Sequence, residues 1–275
     1  MRIDAHQHFW QLERGDYGWL TSDLEPLYRD FMPDDLAPHL RQHGIDGTVL
    51  VQAAPTSAET EFLLDIADKT PFVLGVVGWT DFAATSAADD IARLAKHPKL
   101  VGLRPMIQDI ADDDWMLRPD LAPAFEAMIN ADLTFDALVL PRHLSQLRQL
   151  LSRHPRLRCV IDHGAKPDIA GEKFDGWAND IALIAKESGA YCKLSGLLTE
   201  AKKDATIADL APYVAHLLEY FGPERLVWGS DWPVLTMAAS YEIWIEITAA
   251  LIRDEPARRA ILGSNSVDLY RIPIS

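Results

Sequence analysis

Along the chain, short runs of β-branched and apolar residues alternate with longer stretches whose apolar positions recur at helical spacing. The runs predict strands over 2–8, 48–52, 72–79, 100–106, 133–138, 157–163, 191–194 and 226–230. The periodic stretches between them predict helices over 33–43, 58–69, 87–97, 121–131, 141–153, 177–188, 207–221 and 241–253. Such alternation is the signature of βα units that build a parallel sheet. Eight of them in 275 residues match the content of a single-domain (β/α)8 TIM barrel covering 1–275. A doubly wound open sheet with extra strands is the alternative arrangement.

Local signals mark the boundaries. Pro33 followed by Asp34 and Asp35 suits a first helical turn, and Gly44 and Gly189 fall where a left-handed residue would end a helix. The stretch 11–32 carries Tyr17, Trp19 and several acidic residues without a period, and reads as a long loop after the first strand. No linker, repeat or low-complexity tract interrupts the pattern.

Composition narrows the function classes. The hydrophobic fraction of 48% supports one large core, and the formal charge of −15 repels polyanions, so nucleic acid is not an expected partner. No run approaches the length of a membrane span and no leader pattern opens the chain, so no membrane association is expected. Cys159 and Cys192 each lie inside an apolar run, which predicts buried free thiols and a cytoplasmic protein. A homo-oligomer is compatible with the sequence, which fixes no assembly state.

In a barrel of this kind, active sites form at the C-terminal ends of the strands. The first strand ends in Asp4-Ala5-His6-Gln7-His8, and period-2 geometry puts His6 and His8 on one face, where two imidazoles can chelate one divalent ion. The sixth ends in Asp162-His163-Gly164, and the eighth in Trp228-Gly229-Ser230-Asp231-Trp232-Pro233, with a lone carboxylate just past an apolar strand. A structural histidine and a helix-cap aspartate are the plainer readings of His163 and Asp231. The remaining strand-end polar residues are Gln52, Trp79, Arg104, Asp136, Lys193 and Ser195, with Lys166 on the loop after His163. Trp79 reads equally as core, Gln52 and Asp136 as loop anchors, Arg104 as an ion-pair partner and Lys166 as a solvated side chain.

These motifs, in barrel order, resemble the amidohydrolase superfamily, in its branch of amidohydrolase-2-type sugar lactonases that open L-fuconolactone or L-rhamnonolactone rings. The resemblance is carried by Ile3-Asp4-Ala5-His6-Gln7-His8-Phe9-Trp10, the loop Asp16–Leu20, Val160–Pro167, Tyr191–Leu197 and Leu226–Pro233. It implies a lactone hydrolase whose substrate is a small sugar lactone, with His6, His8 and His163 around the site and Asp231 activating water. Many metal-dependent members carry a bridging lysine on strand four and a histidine on strand five, where this chain has Arg104 and Asp136. The expectation is therefore at most one divalent ion, zinc first, on His6, His8, His163 and Asp231, and dispensable in some members of the branch.

Lactone opening needs an activated water, a polarised carbonyl and a proton for the departing alkoxide. Asp231 is the expected general base, assisted by His163. Polarisation falls to the single ion, or to Arg104 and the histidines. Arg104, Gln52, Trp79, Lys166 and Asp136 are the expected contacts for ring hydroxyls or the carbonyl. A decarboxylase of the same superfamily would share the first-strand histidines and the eighth-strand aspartate, but the missing strand-five histidine argues against it. A non-catalytic barrel would scatter these polar ends rather than gather them.

Overall fold

The computed structural model describes residues 1–273. Eight strands pair in parallel in sequence order: β1 (Ile3–Gln7), β2 (Gly47–Val51), β3 (Val73–Gly78), β4 (Leu100–Leu103), β5 (Thr134–Ala137), β6 (Cys159–Ile161), β7 (Tyr191–Leu194) and β8 (Leu226–Trp228). Each is followed by a helix: α1 (Pro33–His43), α2 (Ser57–Lys69), α3 (Ala87–Leu94), α4 (Ala122–Asn130), α5 (Leu144–Arg153), α6 (Asp175–Glu187), α7 (Ile207–Phe221) and α8 (Tyr241–Leu251). Past the end of β8, the Asp231 N–H donates to the His6 carbonyl and the His8 N–H to the Trp232 carbonyl, each at 2.8 Å. These bonds bring the last strand back to the first, and the expected (β/α)8 barrel results.

The strands read as nearly unbroken apolar runs because both their faces are covered. Ile3, Ala5, Val49, Val51, Val77, Val101, Val160 and Val227 fill the barrel interior. Alternate residues such as Leu50, Val76, Phe135, Ile161, Leu194 and Trp228 face the surrounding helices. Those helices present matching stripes, as α5 does with Leu144, Leu147, Leu150 and Leu151.

Pro33 occupies the first turn of α1, the Asp35 carboxylate accepts from the Met32 N–H at 2.9 Å, and Gly44 caps the helix at φ +61°. The left-handed cap expected at Gly189 does not form. Helix α6 stops at Glu187 and Ser188 is extended; its hydroxyl donates to the Ile184 carbonyl at 2.8 Å and accepts from the Ala190 N–H at 3.3 Å, which removes the need for a left-handed residue. The loop 11–32 contains one 3-10 turn, Leu12–Arg14. Among the described residues no helix is long and apolar enough to cross a membrane.

The sequence pattern missed the chain's last turns, α9 (Glu255–Arg259), a π segment over Ala260–Ser264 and α10 (Asn265–Tyr270). They are too short to show a period, yet Leu269, Tyr270 and Ile272 complete the interior core. Thr134 donates its hydroxyl to the Leu269 carbonyl at 3.0 Å, and the Tyr270 hydroxyl donates to Asp136 at 2.6 Å.

Removing that second donor leaves a buried carboxylate short of a partner, so Tyr270→Phe is expected to cost about 1–3 kcal/mol of stability. The urea midpoint measures it, and a midpoint equal to wild type would contradict the account.

Candidate active site

The first strand does not alternate strictly. Ile3 pairs with Gly47 and Asp4 with Thr48, but Gln7 pairs with Leu50, so β1 holds one residue more than β2 over the same span. That bulge decides the site, because bulges re-aim the residues after them. Ile3 and Ala5 point into the barrel, and Asp4 points out to accept from the Tyr241 hydroxyl at 2.9 Å. Strict alternation would send His6 outward beside Asp4. The extra residue turns His6 and His8 inward, while Gln7 takes the outward place and donates to the Thr48 hydroxyl at 3.1 Å. Gly229 of the β8 end lies against His6, where a Cβ would meet the histidine Cβ at 2.5 Å.

Beneath the mouth lies a fully buried layer of charge. The Lys193 Nζ of β7 donates to Asp136 at 2.6 Å and to the His6 Nδ1 at 3.1 Å, and stands 2.9 Å from Asp162 Oδ1. Arg104, just past β4, reaches Asp162 Oδ2 at 3.3 Å and donates to the Gln52 carbonyl, while the Gln52 amide donates back to the Arg104 carbonyl at 2.7 Å. Burial pushes Asp136 up to about 6 in spite of Lys193. Burial acts on Asp162 in the same sense, but its charged neighbours, Lys193 first and Arg104 with it, outweigh it and carry that carboxyl well below the usual range. His6 is held well below an ordinary histidine, by burial first and then by the Lys193 charge, so its ring is neutral.

Above this layer His6, His8, His163 and Asp231 converge. Asp231 Oδ1 lies 3.2 Å from His8 Nε2, 3.6 Å from His6 Nε2 and 3.9 Å from His163 Nε2. His163 and Asp231 both have left-handed backbones, at φ +54° and +60°, an uncommon conformation that concentrates at functional sites. Gly196 makes room for the His163 ring, which a Cβ there would strike at 2.5 Å, and Ser195 meets His163 Nδ1 at 2.9 Å. Burial pulls His163 down to about 4 against the opposing charges of Asp231 and Asp162. For Asp231 burial works upward, but the histidines around it, His163 foremost, prevail and hold it below the usual carboxylate range. At neutral pH the cluster therefore pairs an ionised carboxylate with a neutral His163, both able to accept a proton.

Ligand atoms of His6, His163 and Asp231 all lie within 4.8 Å of one another, a nitrogen and oxygen set that suits one zinc-like ion, and among the described residues no second such group occurs. His8 stands beside them with its Nδ1 on the Val51 carbonyl at 2.7 Å, which leaves its Nε2 lone pair toward Asp231. His6 fits conditionally. Its Nδ1 lies between Lys193 and Asp162 Oδ1, the latter at 3.6 Å, and only a proton on that nitrogen, turned to Asp162, frees Nε2 to ligate. Arg104 Nη1 stands 3.3 Å from the same Nε2, so an ion here would sit beside two fixed cations. The described residues could hold one ion.

A cavity of about 250 Å³ opens over the cluster, lined by His8, Trp19, Arg104, Met106, His163 and Asp231 among others. Lys166 lines it too, with its ammonium 3.3 Å from Glu200. Gln52 and Asp136 do not line it; both are spent inside the barrel on Arg104, Lys193 and Tyr270. Trp79 lines a neighbouring cavity instead. Sequence reasoning missed Asp162 and the depth of Lys193, although a lysine inside the apolar run Tyr191-Cys192-Lys193-Leu194 is itself a signal of a buried partner. It also missed how the long loop reaches the site. Tyr17 donates to the buried Glu59 at 2.8 Å, Glu59 accepts from the Ala53 N–H at 3.1 Å, and Trp19 donates to the Ala53 carbonyl at 2.8 Å, which pins its indole at the mouth.

A parallel barrel with histidines at the ends of its first and sixth strands and an aspartate after its eighth defines a hydrolase-type site. The amidohydrolase family model matches residues 3–272, and the chain belongs to that family. It is 47% identical to an L-fucono-1,5-lactonase of Burkholderia ambifaria, over 98% of this chain and 96% of the relative. It is 34% identical to an L-fucono-1,5-lactonase of Burkholderia multivorans, over 99% and 97%. The crystal structure of a Burkholderia multivorans amidohydrolase with bound zinc superposes with a TM-score of 0.93 at 33% identity, covering 99% of this chain and all of the other.

The Glu59 anchor makes the loop sensitive to pH. Burial lifts its carboxyl from 4.5 to about 7, while Tyr17, the Ala53 N–H and Arg14 pull it down and Asp16 adds to the rise. The folded chain thus holds this proton more tightly than the unfolded one, and the group loses stabilising effect as pH climbs from about 5 to about 7. Glu59→Gln keeps the side chain uncharged throughout, so its Tm is expected to fall less than that of wild type over the window. Scanning calorimetry across that range checks it, and parallel Tm curves would contradict it.

Proposed function

We propose that the chain opens a sugar-acid lactone of the L-fucono-1,5-lactone type to the free aldonate. The likeness to two L-fucono-1,5-lactonases supports the substrate. One observation carries the chemistry: an ionised Asp231 gathered with three histidines and a fixed Arg104 at the floor of a cavity of about 250 Å³. That volume lies just below the usual range of small-molecule pockets, roughly 300–1,000 Å³, and suits a single ring.

In the proposed reaction a water lying against Asp231 attacks the lactone carbonyl. The Asp231 carboxylate accepts the water's proton, and neutral His163 stabilises and relays it toward the departing ring oxygen. The Arg104 guanidinium, immobilised by the Gln52 carbonyl and Asp162, donates to the oxygen that becomes negative. Gln52 and Asp136 serve indirectly, by orienting Arg104 and Lys193. Lys166 reaches ring hydroxyls from the rim. A single ion, zinc first, would be held by His6, His163 and Asp231 with His8 beside them, and would supply Lewis-acid polarisation of the carbonyl. The decarboxylase reading gains no support, since β5 offers an Asp136 engaged by Lys193 and Tyr270 rather than a histidine. The two buried free thiols agree with work in a reducing cytoplasm.

Proton release from L-fucono-1,5-lactone tests the reading. Asp231→Asn keeps the shape and removes the acceptor, so kcat is expected to fall on the order of 10²-fold or more with little change in KM. The double variant with His163→Asn is expected to be little worse than the poorer single one, because residues acting as a unit are not additive. Near wild-type turnover of Asp231→Asn would remove Asp231 as the base.

A further inference from the structure

The reaction cavity is not alone at the mouth. A second hollow of about 540 Å³ lies on the β2–β4 side of the same strand ends, and the two share Trp19, Met106 and Asp109. The outer lobe is more than twice the size of the inner one, more than a single small lactone needs. Its wall is aromatic, with Trp19, Trp79, Phe82 and Trp115 around it, and Asp81 and Asp109 stand at its exposed edge.

The platform is held by protein contacts. Trp19 gives its N–H to the Ala53 carbonyl at 2.8 Å and meets Trp10 edge-on at 5.5 Å, and Trp115 packs on Phe82 at 6.4 Å. Trp19 nevertheless remains 37% exposed, with its indole on the wall of both lobes. Trp79 and Trp115 both line this lobe, and among the described residues neither indole N–H is paired with a protein acceptor. Aromatic faces attract the slightly positive C–H face of a sugar ring, and fixed indole donors with carboxylate acceptors suit its hydroxyls. An aryl or acyl group would fill the same space but make no use of the polar groups around it. An anionic group would face Asp81 and Asp109.

We propose that the outer lobe is a subsite for a second sugar ring, so that the enzyme also takes lactones of aldonic acids that carry a glycosyl substituent. The half-buried Met106 between the lobes is flexible enough to let the linkage pass. The inference rests on the lactonase reading for the inner lobe and adds the outer one. The reaction itself is unchanged: water adds to the lactone carbonyl, the ring C–O bond breaks, and the proton passes to the departing alkoxide.

Calorimetric titration with the unreactive products separates the two readings. Lactobionate, cellobionate, maltobionate and melibionate are compared with gluconate, their one-ring counterpart. At least one two-ring acid is expected to bind about tenfold more tightly than gluconate, through burial of the second ring. Ile110→Trp, at a residue that lines the outer lobe and not the inner one, is expected to abolish that gain while kcat/KM for L-fucono-1,5-lactone stays within about twofold. The proposal is overturned if no two-ring acid exceeds gluconate, if the gain survives Ile110→Trp, or if a 4-nitrophenyl glycoside binds as well as the two-ring acids. Turnover of L-fucono-1,5-lactone on the same sample reports the inner site independently: no turnover with the gain intact defeats the lactonase reading alone, and turnover without the gain defeats the subsite alone.

Discussion

The Lys193 side chain, buried without solvent between Asp136, Asp162 and His6, is the contact on which the rest of the mouth depends. A buried ion pair is weak evidence of stability, since its desolvation often cancels its attraction and an apolar substitute of similar volume can be as stable. What the lysine supplies is orientation. It fixes Asp162, which fixes Arg104, and it occupies one nitrogen of His6, which fixes the proton on the other. Arg104, which faces the lactone in the proposed reaction, is held by Asp162, which faces protein.

The site therefore has two storeys with different physics. The lower one is dry and charged, its members paired to one another and to Tyr270 from the end of the chain. The upper one is set by backbone: the β1 bulge that turns His6 inward, and the left-handed conformations that place His163 and Asp231 over it. A proton acceptor beside a fixed cation costs little reorganisation at the moment of reaction, because the packing beneath has already imposed the arrangement.

Much of this was legible in the sequence. Eight alternating runs gave the barrel, because strands covered on both faces must be apolar and the helices that cover them must be amphipathic. His6, His8, His163 and Asp231 stood out as polar residues ending apolar strands, and they converge. Other features lay beyond reach. A bulge leaves no trace in a pattern of period two, so the inward turn of His6 came out right although Ile3 and Ala5 already occupy that face. Trp79 sits at a strand end like the others, but its lobe is created by loops from three further strands. Gln52 and Asp136 have the chemistry of substrate contacts and are spent on neighbours that no linear pattern pairs with them. The Glu59 anchor joins residues 42 apart through a loop without periodicity.

Lys193 dictates which face of His6 meets the pocket, and the proton on His6 reports it directly. With the Lys193 ammonium donating to Nδ1, the ring carries its proton on Nε2 and offers it toward His8 Nε2, 3.2 Å away, whose lone pair is free because its other nitrogen serves the Val51 carbonyl. Long-range proton–nitrogen correlation NMR on chelator-treated, histidine-labelled protein, assigned with His6→Gln, reads this tautomer. The expected result is a bare Nδ1 and a protonated Nε2 for His6. A proton on Nδ1 in the ion-free protein, turned to Asp162, would contradict it.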